Sequence, residues 1–226
     1  MTKRFMLALL TLALLVPVFA ASTRSDDAQR VQQANQVFKE IMKTPDQAVP
    51  QEILEGAQCI AIIPGQVKFA FGFGGTYGKG VATCRGGKGW SAPIFVQVGG
   101  GSWGLQLGGQ STDVIMVFRT RDGLVHLLSN KVKLGAGASA AAGPVGRHVS
   151  ASTDASLHAE ILTYSRSHGA FAGISLNGDV VQPDESGNQA MYGNGNWKSI
   201  LDGKDNVRST SRPLIATLNR YTTAQH

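Results

Sequence analysis

From Cys59 to Arg119 side-chain character alternates with a period of two, and glycine recurs through one of the two sets. A period of two belongs to β-strands, whose successive side chains point to opposite faces. In 68–74, Phe69, Phe71 and Phe73 share one face, and Lys68, Ala70, Gly72 and Gly74 the other. Trp103, Leu105 and Leu107 alternate in the same way with Gly104, Gln106 and Gly108. Glycine inside a strand marks a bend or the close approach of another backbone. The chain holds 28 glycines in 226 residues without a three-residue period, so a collagen-like helix is excluded and a β-rich fold with close contacts is implied.

Strands are predicted at Cys59–Pro64, Lys68–Gly74, Tyr77–Arg85 and Trp90–Val98, with turns at Gly86–Gly89 and Gly99–Gly101. Asp113–Arg119 is apolar on both faces and reads as a central strand. Leu157–Arg166 and Ala170–Val181 are further strands. A helix capped by Asp26 or Asp27 is predicted to run to about Lys43, because Val31, Ala34, Phe38 and Ile41 recur at helical spacing. Val37 and Met42 widen its apolar stripe. Shorter helices are predicted at Pro50–Gly56, Asp122–Asn130 and Trp197–Leu201, and a closing helix at Pro213–Tyr221. The stretch 184–195 reads as polar and turn-rich, and 133–143 as a run of small residues suited to close backbone packing. Connections between the early strands are too short for crossover helices, so those strands should be antiparallel. The expectation is one α+β domain over residues 27–226. Its twisted, mainly antiparallel sheet would be open or closed like a barrel, with N- and C-terminal helices packed against it.

Residues 1–21 read as a secretory signal peptide. Lys3 and Arg4 precede the apolar run Phe5–Val16, Pro17 breaks it, and Val18 and Ala20 stand at the small-residue positions before a cut. The run is short for a membrane span. No cysteine follows it, so a lipid anchor is not expected, and the mature chain should be a soluble periplasmic or secreted protein. Loss of Lys3 and Arg4 lowers the formal net charge from +6 to +4. A charge so small does not select a nucleic acid; a partner chosen by charge must meet a local cluster. Cys59 and Cys84 are the only cysteines. An oxidising compartment permits them one disulfide, and the alternative is two buried thiols.

Catalytic motifs are weak. Gly99-x-Gly101-x-x-Gly104 matches a dinucleotide fingerprint, but an alternating strand follows where a helix is required. Gly100-x-Ser102-x-Gly104 matches the nucleophile elbow, with Asp113 or Asp122 and His126 in the order of a serine hydrolase, yet the helix after the serine is again missing. His126, His148, His158, His168 and His226 lack the spacing of a helical metal site. No cofactor, metal or catalytic residue is expected, and a hydrolase using Ser102 is the minor alternative.

The basic residues point elsewhere. Lys68, Lys79, Arg85, Lys88, Lys131, Lys133, Arg147 and Arg166 lie in or beside the Gly-rich strands, with few acids between 56 and 112. Such a cluster would attract lipid phosphates at about 1 kcal/mol per residue; the alternative is a solvated face with scattered charges. The first helix has two readings as well. Val31, Val37, Phe38, Ile41 and Met42 either pack into the core, the commoner use of such a stripe, or insert into a bilayer.

Several blocks resemble the SYLF domain family. They include Lys68-Phe-Ala-Phe-Gly-Phe-Gly-Gly-Thr-Tyr-Gly-Lys-Gly80, Gly99-Gly-Gly-Ser-Trp-Gly-Leu-Gln-Leu-Gly-Gly-Gln110, and Ala141-Ala-Gly-Pro-Val-Gly-Arg147. Glu160-Ile-Leu-Thr-Tyr-Ser-Arg-Ser167 and Gly169-Ala-Phe-Ala-Gly-Ile-Ser-Leu176 continue the similarity over nearly all of the mature chain. The resemblance implies a non-enzymatic lipid-binding module. Its eukaryotic members bind phosphoinositides, and some bind actin filaments beside an SH3 domain. The family's membrane-binding helix would fall on residues 27–43, and its basic positions on Lys68, Lys79, Lys131, Lys133 and Arg147. The signal peptide and the lack of an SH3 domain suggest a secreted, bacterial-type member. They disfavour actin and cytosolic phosphoinositides, and favour an anionic envelope lipid such as phosphatidylglycerol or cardiolipin. The alternative is an envelope interaction protein that binds a protein or glycan.

Overall fold

A computed structural model describes residues 23–43, 48–87, 89–131, 133–134, 140–143, 160–167, 170–173 and 178–223. The expected signal peptide lies outside them, as do Lys88, Arg147 and four of the five histidines. The fold is α+β: a curled, mostly antiparallel sheet forms a half-barrel with helices packed around it.

The sheet is organised by two long strands, β1 (Cys59–Gly86) and β3 (Ile94–Phe118), paired antiparallel from Cys59↔Phe118 to Ala82↔Ile94. The short β2 (Gly89–Trp90) forms a hairpin with the end of β1. Beyond β3 lie β5 (Ile161–Ser167), which pairs with residues 113–118, and β7 (Val180–Pro183), which pairs with residues 96–99. The strand β6 (Ala170–Gly173) pairs with β5, and β4 (Ala140–Ala142) joins β5 in the parallel sense.

The expected strands 59–64, 68–74 and 77–85 are thus one strand, interrupted by register shifts between Ile63 and Gln66 and between Ala70 and Gly72. Gly65, at φ +57°, makes the first irregularity possible. The turn expected at Gly99–Gly101 is also absent: these residues continue β3 opposite Gly75–Tyr77. A Cβ at position 100 would crowd Asp179, meeting its Oδ1 at 2.4 Å and its Cα at 3.3 Å, so a side chain there would displace the Asp179 carboxylate.

The ribbon curls until β1 meets itself. Arg85 N donates to Gln58 O at 2.8 Å, and a disulfide joins Cys59 to Cys84. The curl needs Gly78 and Gly80, because a Cβ on Gly80 would lie 2.1 Å from Ile62 O.

Helix α1 (Arg24–Met42) begins at Thr23, whose side chain accepts from Asp26 N while Asp26 bonds back to Thr23 N. The expected caps Asp26 and Asp27 therefore sit inside the first turn, because Thr23, three positions before Asp26, completes the capping box. Val31, Ala34, Val37, Phe38 and Ile41 are buried, and Met42 is partly buried against the same core. The ring of Phe38 meets Tyr221 edge-on at 6.1 Å. Tyr221 belongs to α6 (Arg212–Thr222), the expected closing helix.

Helices α2 (Gln51–Glu55), α3 (Arg121–Asn130) and α5 (Trp197–Leu201) fall where the pattern places them. The segment 184–195, expected to be turns, contains α4 (Glu185–Tyr192). Its polar residues serve the helix: Asp184 caps it through Gly187 N, and the buried Asn188 bonds both Phe95 N and Phe95 O. No helix among the described residues is long and apolar enough to cross a membrane.

Candidate functional site

Of the eight expected lipid-binding cations, the six within the described residues are distributed over the half-barrel and not gathered. Arg85 turns inward: Nε donates to Ala57 O at 2.8 Å, Nη2 donates to Leu54 O and Thr222 O, and the guanidinium stacks on Trp90. Arg166 is held between Asp113, at 2.6 Å, and Glu40 of α1. Lys79 lies 3.2 Å from Asp184, and Lys68 lies 3.8 Å from Asp179. Lys68 and Lys79 also lie on either side of the register shift between Ala70 and Gly72, opposite Gln110 and Gln97 respectively. Lys131 and Lys133 are exposed. Lys88 and Arg147 lie outside the described residues.

The scatter has a physical cause. Arginines at positions 85 and 166 satisfy carbonyls and carboxylates that the curl of the sheet buries, and such groups must find partners. Proximity in sequence to a Gly-rich strand cannot tell a solvated cation from one recruited to a seam.

One exposed face does combine an aromatic with cations. The register runs Tyr77↔Gly99↔Val180, and Val180 bridges Lys133. Residues opposite one another across strands point to the same face. Tyr77 is 52 % exposed, and Lys131 precedes Lys133 at the end of α3, in left-handed conformation at φ 49°. The next row on that face is Lys79↔Gln97↔Gln182. Tyr77, Val180 and Gln182 carried no signal in the sequence, since only tertiary pairing brings β7 and residue 133 beside β1 and β3.

At the edge of this face lies a buried charge network, also missed from sequence. Arg30 of α1 lies 3.1 Å from Asp27 and 2.8 Å from Asp184, and over the Phe95 ring at 5.2 Å. Burial raises the Asp27 carboxyl above its ordinary range despite Arg30. Burial pushes Asp184 the same way. Hydrogen bonds from Ser186, Arg30 and Gly187 N, with the Arg30 charge, outweigh that effect and hold it at about 2. Only the spacing of Asp27 and Arg30, three apart on the flank of the stripe, hinted at a pair.

The hydrolase alternative finds no support. Ser102 lies within β3, paired with Gly74, and not at a strand-to-helix elbow. Asp113 is engaged by Arg166 and Gly65 N, and His126 Nδ1 is bonded to Asn130. Among the described residues no group of three or more His, Cys, Asp or Glu could hold a metal ion.

The sequence profile of the Ysc84 family, described as Las17-binding protein actin regulator, matches residues 99–221, more than half of the chain. The chain belongs to the Ysc84, or SYLF, family. The Ysc84 domain is 34 % identical over 189 residues to LAS seventeen-binding protein 3 of Saccharomyces cerevisiae, covering 81 % of this chain and 40 % of that protein. It is 33 % identical to Protein YSC84 of the same yeast, covering 81 % and 39 %. It is 27 % identical to the SH3 domain-containing YSC84-like protein 1 of Xenopus laevis, covering 79 % and 54 %. The chain thus spans about two fifths to one half of the length of these curated relatives. The Ysc84 match covers β7 and most of β3, the strands that carry the centre of the Tyr77–Lys133 row.

Proposed function

We propose that this Ysc84 domain is a non-catalytic module that binds anionic phospholipid membranes peripherally, through the face bearing Tyr77 and Lys133, with the exposed Lys131 two positions before it. The observation that carries the reading is the row Tyr77–Gly99–Val180–Lys133, with an exposed phenol and an exposed ammonium on one side of the sheet. A tyrosine ring suits the boundary between acyl chains and headgroups, and lysine reaches phosphate from a long apolar stem. Two lysines near an anionic surface contribute about 2 kcal/mol, roughly a thirtyfold enrichment. That supports reversible association, not permanent anchoring. Family membership supports a binding role over a catalytic one. The apparent leader of residues 1–21 points to a periplasmic or secreted setting, with phosphatidylglycerol or cardiolipin as the anionic lipid.

Co-sedimentation with vesicles tests this. Retention on phosphatidylglycerol vesicles should exceed that on phosphatidylcholine vesicles and fall with salt, as screening shortens the reach of the charges. Lys131→Glu combined with Lys133→Glu should abolish most of it, and Tyr77→Ser should weaken it at every salt concentration. Equal retention on neutral vesicles would overturn the electrostatic reading.

A protein partner is the second reading. The family description and the yeast relatives' names refer to Las17 binding and to actin regulation, so the expectation against actin has no support and actin remains a partner to test. Co-sedimentation with actin filaments, without vesicle retention, would favour this reading.

A further inference from the structure

Arg24, at the start of α1, and Arg208, before the 3-10 turn Ser209–Ser211, line one cleft of about 230 Å³ together with Met191, Ser209 and Thr210. Arg24 donates from Nε to Ala190 O at 3.2 Å, and among the described residues its other donors have no partner. Arg208 lies over the Tyr192 ring at 5.9 Å. Neither arginine enters an ion pair among the described residues, whereas Arg30, Arg121 and Arg166 all do. Asp205 and Asp27 are the acidic groups acting on Tyr192 alongside Arg208, but Asp205 accepts from Asn194 at 3.5 Å, Asp27 pairs with Arg30 at 3.1 Å, and neither lines the cleft.

Two guanidiniums lining one small cleft repel each other. A tetrahedral oxyanion between them relieves that repulsion. The planar fork of arginine matches two phosphate oxygens at once, and a serine hydroxyl such as that of Ser209 donates to another. We infer that the Arg24–Arg208 cleft is a binding site for a phosphate group, separate from the Tyr77–Lys133 face. A volume of 230 Å³ admits a phosphate and the first atoms of its ester, at about 30 Å³ per displaced water.

The test is an amide chemical-shift titration of the full mature chain with inorganic phosphate and with glycerol phosphate, against chloride at matched ionic strength. Saturable shifts at residues 24, 191 and 208–210 are expected with the phosphates and not with chloride. Arg24→Ala and Arg208→Ala should each weaken binding about tenfold, and Arg208→Lys should retain part of it, having charge without the fork. Both arginines are exposed, so the variants should keep the parent melting temperature. A parallel arm measures retention on phosphatidylglycerol vesicles. If soluble phosphates give no shifts but the arginine variants lose vesicle retention, the phosphate belongs to a lipid headgroup. Absence of both effects, or shifts unchanged in the arginine variants, would overturn the site. Lys131→Glu with Lys133→Glu should leave the phosphate titration unchanged, so failure of the lipid reading and failure of this one are told apart.

Discussion

At the scale of single residues, the recurring glycines are not equivalent. A Cβ on Gly80 would meet the main-chain oxygen of Ile62 at 2.1 Å, and backbone cannot step aside as a side-chain tip can. Gly80→Ala should therefore cost about 3 kcal/mol, read as a lower urea midpoint. Gly101 has nothing within 4 Å of the added carbon, and Gly101→Ala should change stability by no more than about 0.5 kcal/mol. If the two variants matched, the crossing of β1 over itself would not be what requires Gly80. The period-two pattern places both glycines in strands. Which of them faces a backbone depends on the curl, and no local rule contains that. The basic residues behave likewise: Arg85 and Lys133 look alike as letters, yet one caps carbonyls inside a seam and the other faces solvent.

At the scale of elements, α1 and α4 are joined to the sheet through Asp27, Arg30, Asp184 and Lys79. The folded Asp184 carboxyl titrates at about 2, below its ordinary 3.8. Its stabilisation is therefore complete above 3.8 and disappears as pH falls through about 2. Asp184→Asn should lose about 3 kcal/mol near neutral pH, because Arg30 and Lys79 are left facing a neutral group. The variant should also lack the drop in stability between those two pH values, which acid unfolding followed by circular dichroism would register. Asp27 has the opposite sign. Burial raises its folded pKa, so its charge opposes folding at neutral pH, and Asp27→Asn should be neutral or stabilising. Helix α1 itself was legible from its stripe, including Met42 at the margin. That it packs inward here follows from what α6 and β1 offer it: Tyr221 against Phe38, and a sheet face otherwise left bare. The segment 184–195 misleads for the converse reason. Its polar side chains suggest solvent, but Asp184 and Asn188 are buried: Asp184 caps the first turn of α4 through Gly187 N, and Asn188 bonds the main chain of Phe95 that the sheet leaves open.

At the scale of the whole molecule, the half-barrel is closed on itself by the Cys59–Cys84 disulfide, 25 positions apart and fully buried at both ends. A cross-link of that span restricts the unfolded chain by about 3 kcal/mol. The double variant Cys59→Ala, Cys84→Ala should unfold at a melting temperature lower by roughly 10 °C and keep its far-ultraviolet spectrum. A melting temperature unaffected by the substitutions would mean that backbone pairing alone, such as Arg85 N to Gln58 O, holds the seam.

The sequence by itself determined the class of the fold, the positions of most helices, the antiparallel sense of the early strands and membership of the family. All of these rest on periodicity, caps and motifs carried by residues near one another in the chain. Only the tertiary structure decided that separate strands were one curled ribbon, that the two cysteines met, and which cations were consumed by internal partners. Those outcomes depend on where the curl brings residues 25 to 150 positions apart, and a bent sheet sets such distances through the summed effect of every bulge and glycine along it, which no short window of residues encodes.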